Sequence, residues 1–168
     1  MSDIIHLHQL ATLVVEPSAM QSKLFHAELS QAGIRDIHSV RSGSEALDYL
    51  RAHTVSLILS AFHLPDMTGA EFIARLRADP AQASVPFLLV SSENRPHLLE
   101  PVRQSGVSGI LPKPFNQAQL DAALNAVLGY LNVDDSLDEA GLELDTLRVL
   151  VVDDSSTARR YMCQVLAN

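Results

Sequence analysis

Three side chains able to handle charge stand directly after short aliphatic runs: Glu16, Ser91 and Lys113. A carboxylate so placed can ligate a cation or pair with an ammonium, and a hydroxyl with an ammonium can contact the oxygens of an anion. A second acidic feature, Asp153-Asp154, follows the run Val149–Val152. Alone, such a pair is no more than a helix N-cap with its neighbour. Asp66 falls in a loop with the composition of a turn, and Ser60, in a strand, should point away from the side that its neighbour Ala61 faces. The seven histidines include no pair at the helical spacing of a metal motif, so they read as ordinary surface or core side chains. With no glycine-rich phosphate loop and no nucleophile–base pair, enzymatic chemistry is not expected.

The elements that must position these residues alternate between two kinds. Thr12–Glu16 is a short continuous aliphatic run. Met20, Leu24, Ala27 and Gln31 then form one helical stripe with Phe25 and Leu29 beside it, and Gly33 ends the helix. Ile37–Val40 is the next strand, and Ala46, Leu47 and Leu50 mark a helix from near Ser44. Val55–Ser60 is the clearest buried strand, followed by a loop with Pro65 and Gly69. Phe72, Ile73 and Leu76 give a third helix, ended by Asp79-Pro80. Phe87–Val90 is a fourth strand, and the helix after it is weakened by Pro101. Gly109–Leu111 is a fifth strand, and Leu120, Leu124, Val127 and Leu131 stripe a long last helix. Five such units predict an α/β doubly wound, five-stranded parallel sheet whose site lies at the carboxyl ends of the strands. Those ends carry Glu16, Ser60-Ala61, Ser91 and Lys113.

The chain has 168 residues, 12 basic and 20 acidic, with a net charge of −8. No apolar run is long enough for a membrane span, and the N-terminus lacks the pattern of a signal peptide. The single cysteine, Cys163, excludes an internal disulfide and fits a cytoplasmic protein. The acidic balance argues against nucleic-acid binding. Six acids fall within residues 132–146, and no Lys or Arg occurs from Phe115 to Leu147. That stretch reads as an acidic linker. Beyond it, an offset of 137 residues brings Leu13, Val14 and Val15 onto Leu150, Val151 and Val152, and Ser18 onto Ser155. This is the signature of a tandem domain copy. The expected organisation is a tail (1–10), a first domain (11–131), the linker (132–146) and the first strand and helix of a truncated second copy (147–168).

From Ala11 to about Leu131 the chain resembles the receiver domain of two-component response regulators, a flavodoxin-like fold. The markers are Pro65-Asp66-Met67-Thr68-Gly69, Ser91 at the end of the fourth strand, and Lys113-Pro114-Phe115. The resemblance implies paired acids holding Mg²⁺ after the first strand, a phosphoacceptor Asp ending the third, and a cis Lys113-Pro114 bond. The chain departs from this pattern where the chemistry would sit. Ala61 stands at the acceptor position, Pro17 replaces one acid beside Glu16, and Ile110 replaces the aromatic switch residue. A methyl group cannot take a phosphoryl group, and Glu16 with Ala61 makes a poor Mg²⁺ site. The first domain therefore reads as a pseudo-receiver without a cofactor, in which Lys113 pairs with Glu16 and closes the pocket. In the second copy the resemblance makes Asp153 and Asp154 Mg²⁺ ligands of an intact receiver.

On the last helix a second stripe, Ala118, Ala122, Ala126 and Tyr130, runs beside the core stripe with almost no charge, which predicts a homodimer or inter-domain contact there. The expected function is docking or dimerisation that regulates a following receiver and an output module, with a histidine kinase as a further partner. One alternative is a small-molecule sensor using the emptied strand-end pocket. Another is a phosphorylatable regulator with a displaced acceptor.

Overall fold

The structure, a computed structural model, describes residues 4–93 and 95–132. Residues 133–168, and with them most of the expected linker, the expected second copy, Asp153, Asp154 and Cys163, lie outside the described residues.

Five strands form one sheet: β1 (Ala11–Val15), β2 (Asp36–Val40), β3 (Leu57–Ala61), β4 (Phe87–Ser91) and β5 (Gly109–Pro112). Their order is β2-β1-β3-β4-β5 and every pairing is parallel. Five helices connect them: α1 (Ala19–Gln31), α2 (Gly43–Ala52), α3 (Gly69–Ala78), α4 (Pro96–Gln104) and α5 (Gln117–Leu131). The strands are continuously aliphatic because both faces are covered, and successive side chains serve opposite layers. Leu13, Val15, Ile58, Phe87 and Leu89 belong to the core that includes residues of α2, α3 and α4. Val14, Leu57, Leu59, Leu88 and Val90 belong to the core under α1 and α5.

Register places the site. Val15 pairs with Ser60, Ala61 with Val90, and Ser91 with Pro112. The residues at or just past these ends, Glu16, Ala61, Ser91 and Lys113, therefore stand along one edge of the sheet.

Three local details refine the sequence reading. In α1 the buried residues are Phe25 and Leu29, whereas Met20 is 82% and Leu24 51% exposed, so of the two adjacent stripes the Phe25–Leu29 one faces the core. Both stripes have helical spacing, and the aromatic one wins because it covers more apolar area. β3 begins at Leu57 rather than Val55 and runs on to Ala61. α4 passes through Pro101, whose missing N–H leaves the His97 carbonyl without its helical donor, and the helix ends three residues later. The N-terminal segment is also more than a tail. Leu10 is fully buried, Ile5 and Leu7 pack on the α1–α5 core, and Leu7–Gln9 forms a 3₁₀ turn.

Candidate functional site

The turn between β3 and α3 shows why Pro65–Gly69 has its composition. The Asp66 carboxylate accepts the N–H groups of Gly43 (3.0 Å) and Ser44 (2.8 Å) and the Ser44 hydroxyl, at the N-terminus of α2. The Ser44 hydroxyl, more than the backbone donors, holds the Asp66 carboxyl down at about 2. Met67 lies so close to Gly43 that a Cβ there would clash with its sulfur. Thr68 caps α3, exchanging hydrogen bonds with Glu71. A Cβ on Gly69 would fall 3.2 Å from the Phe62 Cα, so this position tolerates only glycine without a shift of the backbone. Asp66 is thus committed to fastening two loops together.

At the strand ends, backbone bonds extend the ladder one residue past β1 and β5. The Glu16 N–H donates to the Val40 carbonyl (3.0 Å) and the Lys113 N–H to that of Ser91 (2.8 Å). This brings the two side chains together, with Lys113 Nζ 3.1 Å from Glu16 Oε2. The other Glu16 oxygen accepts the Ser18 N–H at 2.9 Å, in the turn that caps α1. Glu16 is 5% exposed. Lys113 also lies 4.9 Å from the centroid of the Phe25 ring, a cation–π contact. The Lys113–Pro114 peptide is cis, as the resemblance implied.

Around this pair lies a cavity of about 190 Å³ walled by Glu16, Ala61, His63, Ser91 and Lys113. Ala61 is buried and offers only its methyl group. Ser60 is buried, donates its hydroxyl to the Ala61 carbonyl and lies outside this lining. The Ser91 hydroxyl accepts the Glu93 N–H (2.9 Å) and so shapes the loop into α4. Pro17, half-buried, joins Glu16 to the cap residue Ser18 and supplies no oxygen beyond its backbone carbonyl. Ile110 is half-buried and packs on the core that holds residues of α3 and α4. A Mg²⁺ ion needs oxygen ligands in near-octahedral order. This edge offers one carboxylate, already shared between an ammonium and an amide, facing a methyl group. The side chains present do not fit that ion.

Away from the cavity, Ala118, Ala122 and Ala126 are exposed on α5, and Tyr130 is 57% exposed. Among the described residues, no helix is long and apolar enough to cross a membrane. The residues that sequence reasoning passed over as contacts of the site are Phe25, whose ring faces Lys113, and His63, which lines the cavity. The signal for Phe25 was available: Phe25 and Leu29 are four apart, and the rival stripe ends on the polar Gln31.

The chain is similar to known proteins over this folded unit. The model of the response regulator receiver domain matches residues 12–125. A probable chemotaxis protein CheY from Rhizobium etli is 26% identical over 123 residues, spanning 73% of this chain and 95% of that protein. Chemotaxis protein CheY1 from Helicobacter pylori is 26% identical over 118 residues, 70% of this chain and 95% of its own. Among solved structures, chemotaxis response regulator CheY4 of Vibrio cholerae superposes with a TM-score of 0.64 at 28% identity, covering 69% of this chain and 96% of that one. The receiver domain of a sensor histidine kinase from Pseudomonas aeruginosa, described with a magnesium ion in its active site cleft, gives 0.65 at 25% identity, covering 71% and 98%.

Proposed function

Because this chain belongs to the response regulator receiver domain family, and so serves two-component signalling, we propose that its first domain is a pseudo-receiver that has exchanged phosphoryl transfer for protein docking. The observation that carries this reading is Ala61 at the end of β3, in the cavity where Lys113 is already paired with Glu16. Phosphoryl transfer needs a nucleophilic oxygen and a metal to neutralise charge. The first is missing at Ala61, and Glu16 is engaged elsewhere. What remains is a rigid receiver scaffold with an exposed, nearly uncharged α5 face at Ala118, Ala122, Ala126 and Tyr130, suited to a second copy or a neighbouring domain. The partners are then the chain itself, a following receiver and an output domain.

The two rivals find less support. A sensor using the emptied pocket has about 190 Å³ to work with, below the roughly 300 Å³ at which small-molecule sites begin. Of the displaced acceptors considered above, Asp66 has its oxygens on the start of α2, and Ser60 lies outside the cavity lining.

Intact-mass spectrometry after incubation with Mg²⁺ and a small acyl phosphate tests the proposal. An unchanged mass is expected. A stable single phosphoryl adduct on residues 11–131 overturns it.

A further inference from the structure

Lys113 and Ser92 also wall a second and larger cavity, between α1 and the connection from β5 to α5. Its volume is about 500 Å³, and Leu24, Phe25, Glu28, Pro114 and Phe115 complete most of its lining. That volume lies inside the roughly 300–1,000 Å³ range of small-molecule sites. The walls are mostly apolar: the Phe25 and Phe115 rings stack at 5.9 Å, and Leu24 sits at the rim, half exposed with nothing over it.

The polar content is lopsided. Glu28 Oε2 is shut off from solvent and has no hydrogen-bond donor against it, and burial raises the Glu28 carboxyl above its ordinary range. Buried acceptors without a donor are uncommon in folded proteins. The one ammonium in the lining, Lys113, is engaged by Glu16 and the Phe25 face. Glu28 therefore brings to this cavity's wall a carboxyl oxygen without a donor, beside two aromatic rings. The last torsion of a glutamate side chain is broad, so either oxygen can turn to a donor in the cavity.

We propose that the groove between α1 and the β5–α5 connection is a binding site for a small organic cation with a flat apolar body, of the amidine or aromatic amine class. Its N–H groups donate to Glu28, and its body lies against Phe25, Pro114 and Phe115. A charge-assisted hydrogen bond in such a place is strong enough to separate a cation from its neutral isostere. The site does not depend on whether Ala61 has ended phosphoryl transfer.

The test is an amide chemical-shift titration of the full 168-residue chain with benzamidine and, separately, with its neutral isostere benzamide. Saturable shifts around Phe25, Glu28 and Phe115 are expected with benzamidine, at a dissociation constant of about 1 mM or tighter. Benzamide, and benzamidine on a folded Glu28→Gln variant, are each expected to bind at least about tenfold more weakly. Equal binding of the two probes, an unaffected Glu28→Gln, or no saturable shift overturns the proposal. So does a dimer whose contact shifts fall on these same residues, which would give the groove to a second copy.

Discussion

The Lys113 ammonium and the Glu16 carboxylate meet 3.1 Å apart although 97 residues separate them in the chain. The two partners are unequally buried, with 23% of the Lys113 side chain exposed and 6% of that of Glu16. Removing one is therefore not equivalent to removing the other. Lys113→Met strands a buried carboxylate and is expected to cost about 2 kcal/mol, whereas Glu16→Gln leaves an ammonium with access to water and the Phe25 ring and should cost about 1 kcal/mol or less. Urea unfolding checks this, as a larger drop in midpoint for Lys113→Met at an unchanged m-value.

Asp66 ties acid stability to a single carboxylate. Its folded value, about 2, lies below its ordinary 3.8. Its contribution is thus fully present above about pH 4 and is lost as pH falls from there toward 2. Asp66→Asn should lower stability at neutral pH and flatten the fall in that window. Thermal unfolding at stepped pH reads both. A parallel, unflattened decline would show that Asp66 does not carry the effect.

Thr12, 2% exposed on β1, has a hydroxyl with no hydrogen-bond partner. Thr12→Val keeps the shape and removes the desolvated hydroxyl, so it is expected to stabilise the domain by about 1 kcal/mol. A raised melting temperature in calorimetry is the readout.

The α5 face makes a prediction about assembly. The chain is expected to sediment as a dimer, and Ala122→Glu or Tyr130→Glu to return it to monomer by forcing a carboxylate into the contact. A strict monomer unchanged by either substitution would remove this face from the docking reading.

Much of the fold was legible because parallel strands buried on both faces announce themselves as aliphatic runs, and the register of such a sheet leaves little freedom in what stands at its edge. Glu16, Ala61, Ser91 and Lys113 could be placed together on that ground. Periodicity failed in α1, where Met20-Leu24-Ala27 and Phe25-Leu29 have equally helical spacing and only the packed sheet decides between them. It could place Asp66 in a turn but not name its partners, Gly43 and Ser44, which come from another loop, and it was silent on Glu28, whose unpartnered oxygen is a property of the neighbours it lacks.

The side chain of Asn132 and the backbone of Ile5 hold one another by two hydrogen bonds. The Ile5 N–H donates to Asn132 Oδ1 (2.7 Å), and Asn132 Nδ2 donates to the Ile5 carbonyl (2.9 Å). The chain thus enters and leaves this domain at one corner, at the end of the sheet away from Lys113. A unit wired this way can be spliced between other modules with little change in the distance between them. It can also be opened elsewhere: a circular permutant joining residue 132 to residue 5 through a short glycine-rich bridge should fold to the same sheet.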